Sequence, residues 1–214
     1  MTDDIVELVR ARAANPGTIH DVAQGLSPAP KIYPPATADD IGKAEERLGF
    51  ELPLLLKRIY IEVGNGGFGP GYGLMGITGG YDGYIGGDVL SLYTGYRENP
   101  PGGMPEWPEK TLPVCTWGCD IYSCLDCAKP EAPVLVYGGG GEHALGYEGL
   151  EITLETADGQ VIEIDGPEDL GLEPDPDAPA PPPAQLVPHK ASFEQWLTDW
   201  AQGVDLWGEM ERLG

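Results

Sequence analysis

Basic side chains are scarce in this 214-residue sequence, which has 12 lysines and arginines against 35 aspartates and glutamates, for a net charge of −23. A surface with this charge repels phosphate backbones, which excludes general nucleic-acid binding. Long apolar runs are also absent, since none reaches the roughly 18 residues of a membrane-spanning helix. The first residues, Met1 to Asp4, are acidic where a signal peptide is basic. We therefore expect a cytoplasmic protein without a membrane partner.

Motifs of the common hydrolases and nucleotide-binding proteins are missing as well, since the chain has no G-x-S-x-G, H-E-x-x-H or lysine-containing phosphate loop. Two G-x-G-x-x-G matches begin at Gly64 and Gly71. A dinucleotide site needs a strand before this motif and a helix after it, whereas here a predicted helix precedes it and more glycine follows. We therefore predict that the protein is not an enzyme and has no cofactor.

The four cysteines, Cys115, Cys119, Cys124 and Cys127, form a C-x3-C-x4-C-x2-C run. Zinc sites usually present two C-x2-C pairs that are further apart, and only Cys124 and Cys127 have that spacing. Buried cysteines also occur as small apolar side chains on strands. We therefore predict no metal site and keep a zinc or thiol-redox protein using this run as an alternative.

Glycine and proline are abundant, at 32 and 22 residues, and between them lie segments with clear periodicity. Helical periodicity is present in 3–14, 37–48, 53–63, 89–96 and the segment after Ser192. Strand patterns are present in 112–117, 120–125, 133–137 and the hairpin 150–164, with short strands expected in the glycine-rich 64–87. This order of helices and strands predicts an α+β fold.

Local signals mark several helix ends. Thr37 is suited to be an N-cap and Gly49 to end that helix, while Ser192 and Gln195 form a capping box. The helix after Pro53 is apolar nearly all round, which predicts that it is buried. We divide the chain into an N-terminal helix with an irregular extension, 1–36, and a main domain, 37–214, with an acidic and proline-rich insertion at 166–188.

Negative charge is concentrated in one stretch, because twelve acidic residues lie from Glu142 to Asp177 and no lysine or arginine lies between Lys129 and Lys190. Alternation along the hairpin predicts that one face carries carboxylates opposite an apolar face. The candidate partner-binding carboxylates are Glu151, Glu155, Glu163 and Asp165. Such a face either steers a basic protein partner onto the chain or serves only as a solvated surface.

Aromatic residues in the glycine-rich loop are a second candidate contact. Tyr81 and Tyr84 lie between glycines, and tyrosine is a frequent anchor of protein interfaces. Ordinary packing within the turns is the alternative for either residue.

Three stretches together resemble the SUKH superfamily, which includes the yeast Smi/Knr cell-wall assembly regulator and many bacterial immunity proteins. The first stretch contains the helix end Leu48-Gly49, then Leu52-Pro53, and after the next helix Asn65-Gly66-Gly67. The second is the segment from Trp117 to Cys124. The third is the late helix that begins Ser192-Phe193. The resemblance implies an α+β domain with a mainly antiparallel sheet flanked by helices. It also implies a binding protein rather than an enzyme, and for bacterial members a role in neutralising toxin domains, often nucleases.

These observations lead to one functional hypothesis and two alternatives. The chain is predicted to be a non-enzymatic immunity protein that binds a basic, nuclease-type toxin domain through its acidic hairpin. The first alternative is a cytosolic adaptor or scaffold of the Smi/Knr type, and the second is the zinc or thiol-redox protein described above.

Overall fold

The fold is described by a computed structural model for residues 2–15, 31–83, 86–118, 120–138, 152–155, 161–164 and 185–211. Six helices and six strands lie in these ranges. The helices are α1 (Thr2–Ala14), α2 (Ala38–Leu48), α3 (Leu54–Glu62), α4 (Val89–Glu98), α5 (Phe193–Ala201) and α6 (Leu206–Glu211). The strands are β1 (Thr111–Gly118), β2 (Ile121–Asp126), β3 (Val134–Tyr137), β4 (Ile152–Glu155), β5 (Val161–Ile164) and β6 (Leu186–Lys190).

The main sheet has four antiparallel strands in the order β1-β2-β3-β6, and β4 and β5 form a separate two-stranded sheet. Helix α4 contacts β1, and α5 contacts β6 at the other edge. The predicted α+β class, with a mainly antiparallel sheet flanked by helices, is confirmed.

Helix ends follow the local signals in the sequence. The Thr37 hydroxyl accepts a hydrogen bond from the N–H of Asp40, and the Asp40 carboxylate accepts one from the N–H of Thr37, which completes a capping box. Gly49 ends the same helix in the left-handed conformation, with φ +78°. At the start of α5 the Ser192 hydroxyl accepts from the N–H of Gln195 at 3.1 Å.

The N-terminal helix belongs to the core. One face of α1 is buried against α5 and α3, and its buried apolar residues are Ile5, Val6, Val9 and Ala13. The Arg12 guanidinium lies over the Trp200 ring of α5, 5.5 Å from the ring centre. The helix inside the predicted 1–36 extension is therefore packed on the body of the protein.

The glycine-rich segment differs from its prediction. The described residues of 64–87 form no strand, and they join the edge strand β1 through a β-bridge between Leu74 and Cys115 and through the N–H groups of Tyr72 and Met75, which donate to carbonyls of β1. Glycines with positive φ recur along the segment, and strands need negative φ. At Gly66, with φ +86°, a side chain would bring its Cβ within 2.5 Å of the Leu74 carbonyl oxygen, so this turn requires glycine.

Two further expectations are corrected. Helix α3 is not buried all round, because Leu54 is 67% exposed and Ile61 is 38% exposed, while Leu56 and Ile59 on the opposite side are fully buried. Strand β6 was not predicted, and it includes residues 186–188 at the end of the proline-rich stretch. Because β6 is an edge strand, it tolerates Pro188, whose missing N–H costs no essential sheet hydrogen bond.

Asn65 holds the glycine-rich segment in place. Its side-chain oxygen accepts a hydrogen bond from the N–H of Ile77 at 2.9 Å, and its side-chain nitrogen donates to the Ile77 carbonyl at 3.3 Å. Its backbone carbonyl accepts from the N–H of Tyr81 at 2.9 Å. Since Ile77 is fully buried, the Asn65 amide satisfies two backbone groups that water does not reach.

We predict that Asn65→Ala destabilises the protein by roughly 1–3 kcal/mol, because the substitution leaves the buried N–H of Ile77 without a partner and removes one of the two hydrogen bonds to the Ile77 carbonyl, which also accepts from the N–H of Gly80. Urea denaturation monitored by tryptophan fluorescence measures the change. Asn99→Ala is the control, since Asn99 is exposed and caps α4 through its backbone alone. Equal stability of the two variants would contradict this role of Asn65.

Candidate partner-binding surface

The acidic hairpin is confirmed over the two strands that the structure describes. Its register pairs Ile152 with Ile164, Thr153 with Glu163, Leu154 with Ile162 and Glu155 with Val161. Directly paired positions share one face of a sheet, so positions 155 and 163 lie on the same face. Glu151, Asp165 and Asp158-Gly159, a pair suited to a two-residue hairpin turn, lie outside the described residues. The register of the hairpin therefore gives two of the four predicted positions, 155 and 163, the same face.

Tyr81, predicted as an interface anchor, is instead a packing residue of the glycine-rich segment. It is buried, its hydroxyl donates to the Tyr72 carbonyl at 3.0 Å, and its ring lies 5.7 Å from that of Tyr33. Burial, together with nearby negative charge, raises the pKa of Tyr81 to about 12. Tyr84, the other candidate anchor, lies outside the described residues.

Two of the three cysteines that the structure describes, Cys115 and Cys124, are strand residues, and Cys127 directly follows β2. Cys115 and Cys124 are fully buried, and the Cys115 thiol donates to the Pro70 carbonyl at 3.0 Å. Burial raises the pKa of both thiols and raises that of Cys127 to about 12, which opposes the thiolate form that redox exchange requires. Within the described ranges no group of three or more histidine, cysteine or acidic side chains could hold a metal ion, and Cys119 lies outside them.

A charged cluster lies where β6 meets α5 and α6. The Lys190 ammonium is 2.7 Å from the Asp199 carboxylate and 2.5 Å from that of Glu209. The His189 side chain is 2% exposed, with its Nε2 3.5 Å from the Glu209 carboxylate, and neither ring nitrogen has a hydrogen-bond partner among the described residues. The sequence analysis missed this cluster, because its members are spread over three elements and have no motif spacing.

Burial and charge act together on this cluster. Burial lowers the pKa of His189, and the adjacent positive charge of Lys190 lowers it further against the attraction of Glu209 and Asp199. Burial also opposes charge on Lys190 and Glu209. Hydrogen bonds and attraction from Asp199 and Glu209 outweigh it for Lys190, and those from Lys190 and His189 outweigh it for Glu209. The pKa of Lys190 is therefore raised and that of Glu209 is lowered. The cluster thus joins β6 to the last two helices around a neutral histidine.

We predict that this cluster makes the fold sensitive to acid. A histidine whose folded-state pKa lies below its ordinary value of 6.5 contributes stability that is complete above that value. That stability is lost as the pH falls through 6.5 toward the folded-state pKa. The free energy of unfolding should therefore decrease between about pH 7.5 and about pH 5, and His189→Gln should flatten this dependence.

Urea denaturation at several pH values measures the effect. His143→Gln is the control, since it also removes one histidine. If the free energy of unfolding of His189→Gln depends on pH as steeply as that of the unchanged protein, the cluster does not contribute to acid sensitivity as described.

The fold and the hairpin define the class of protein, an α+β domain with an acidic appendage and no metal centre among the residues described. Comparison with known families identifies the family within this class. The sequence profile of the SMI1 / KNR4 family (SUKH-1) matches residues 35–179, which is more than half of the chain, and the protein belongs to that family. Comparison with curated proteins gave no match.

Membership carries a general consequence. Members of the family are in general non-enzymatic modules that act through protein–protein contacts. Helix α1 lies before the matched residues, and β6, α5 and α6 lie after them. No helix in the described part of the chain combines the length and the apolar character needed to cross a membrane.

Proposed function

We propose that this protein is a cytoplasmic immunity protein that binds and neutralises a basic, nuclease-type toxin domain without catalysing a reaction. One observation carries the proposal. The negative charge of a −23 chain is concentrated around a hairpin that pairs only with itself among the described strands and is separate from the main sheet. Membership of a family of protein-binding modules supports it.

Electrostatics explains why such a hairpin suits such a partner. A nuclease holds phosphate groups in a cleft lined by lysine and arginine, so its active surface is positively charged. An acidic face raises the rate of encounter with that cleft and disfavours partners of like charge. Once docked, the carboxylates at positions 151, 155, 163 and 165 occupy the place of substrate phosphates, which blocks the cleft sterically and electrostatically.

We expect affinity capture from the native lysate to retain a basic protein at low salt and to lose much of it at high salt, because salt screens charges at exposed surfaces. Mass spectrometry identifies the bound proteins. The triple variant Glu151→Gln, Glu155→Gln, Glu163→Gln should slow association with the captured protein about tenfold at low salt.

A matched control distinguishes an effect of the hairpin face on association from an effect of the overall negative charge of the chain. Glu46→Gln, Glu51→Gln, Glu98→Gln removes the same charge from exposed positions elsewhere and should change association much less. Equal effects of the two triple variants would show that the hairpin is only a solvated surface. Capture of cell-envelope or metabolic proteins without basic character would instead favour the adaptor function.

A further inference from the structure

A second candidate contact, lined by no residue of the hairpin, lies where three segments of the core meet. A groove of about 370 Å³ is formed by the start of α3, the turn between β2 and β3, and the start of α5. The lining residues that matter for binding are Pro53, Leu54, Pro130, Glu131, Ala132 and Glu194.

The groove is rigidly built. The N–H of Phe193 donates to the Glu131 carbonyl at 3.1 Å, which ties the start of α5 to the β2–β3 turn. The start of α3 is held by the Glu45 carboxylate, which accepts from the N–H of Leu52 at 2.8 Å and pairs with Lys57 at 3.0 Å. The groove walls are therefore positioned before any partner binds, which lowers the entropic cost of binding.

The groove combines an exposed apolar side chain with acidic ones. Leu54 is 67% exposed, more than the other large apolar side chains noted as exposed in the described residues. The carboxylates of Glu131 and Glu194 make no ion pair within the described part of the chain, and the lysine of that turn, Lys129, already pairs with Asp126 at 2.8 Å. A bound segment that covers the exposed Leu54 side chain and brings a positive charge to the Glu131 and Glu194 carboxylates would therefore match the groove.

The backbone at the start of α3 adds hydrogen-bond donors to the groove. Pro53 occupies the N-cap, and no side chain caps the first turn of the helix. The leading N–H groups of an uncapped helix are satisfied by water or by a bound acceptor such as a peptide carbonyl. A peptide segment can thus supply the acceptor as well as the apolar and basic side chains.

We infer that this groove is a docking site for an extended segment of a partner protein, one that carries an aliphatic side chain next to lysine or arginine. The aliphatic group covers Leu54 between Pro53 and Pro130, and the basic group pairs with Glu131 and Glu194. This site is independent of the hairpin, and it does not require that the partner be a toxin.

The probe is the end-blocked tetrapeptide Arg-Leu-Leu-Arg, titrated into the full chain and followed by ¹H–¹⁵N NMR. We expect the amide signals of Leu54, Ala132 and Glu194 to shift. The peptides Glu-Leu-Leu-Glu and Arg-Ser-Ser-Arg should give much smaller shifts, because each lacks one of the two required features.

Variants separate the groove from the overall acidity of the chain. Leu54→Ser should weaken binding about tenfold, since the exposed side chain is the apolar contact, and it should not unfold the protein. Glu131→Gln, Glu194→Gln should weaken binding several-fold, whereas Glu46→Gln, Glu98→Gln should leave it nearly unchanged. The hairpin triple variant should bind the peptide like the unchanged protein, so the groove can be tested whatever the outcome for the hairpin.

Three outcomes overturn the inference. The first is that the NMR shifts are absent or confined to other surfaces. The second is that Leu54→Ser binds the peptide with unchanged affinity. The third is that the groove pair, Glu131→Gln with Glu194→Gln, weakens binding no more than the control pair, Glu46→Gln with Glu98→Gln. Any of these would show that the groove is not a site for a basic and apolar segment.

Discussion

The burial of α5 is the interaction on which the rest of the structure depends. The buried face of this helix consists of Phe193, Trp196, Leu197 and Trp200. Burial of a phenylalanine or leucine side chain stabilises a fold by about 1.5–3 kcal/mol, and the two tryptophans are larger still. Helix α5 packs against α1 and β6, and Trp200 lies 6.5 Å from Phe68 of the glycine-rich segment. One helix near the end of the chain therefore joins both ends of the chain to the family-matched region.

This arrangement separates the contacts that stabilise the core from the hairpin that we propose binds the partner. The apolar contacts of α5, the buried Asn65 amide and the Lys190 cluster fix the core, and none of them needs a partner. Within the described residues, the hairpin β4–β5 does not pair with the main sheet, and it carries acidic positions. Under the proposed function, the core would hold an acidic hairpin whose residues could change to match a partner without loss of the fold.

Much of the fold follows from local sequence signals. Thr37, Gly49 and Ser192 mark helix ends through hydrogen bonds to near neighbours, so their roles can be read from a few residues. Strands β1 to β3 and the hairpin are signalled by their apolar patterns. Strand β6 was missed because its edge position, which makes Pro188 acceptable, is a property of the whole sheet.

Parts of the candidate sites depend on contacts that the sequence does not show. The acidic hairpin could be predicted, because charge and alternation are both local. The burial of Tyr81 follows from its packing on Tyr33 and could not be predicted from its glycine-rich neighbours. The exposure of Leu54 depends on where the β2–β3 turn and α5 lie, since the apolar α3 sequence alone indicated a buried helix. The Lys190 cluster likewise forms only when three separate elements meet.

Hydrogen–deuterium exchange of the chain, with and without its captured basic partner, tests most directly whether a basic protein binds the acidic hairpin. Exchange should slow in residues 152–164 when the partner binds. This protection should disappear in the Glu151→Gln, Glu155→Gln, Glu163→Gln variant. Slower exchange at other surfaces, with the hairpin amides unchanged, would contradict binding at the hairpin.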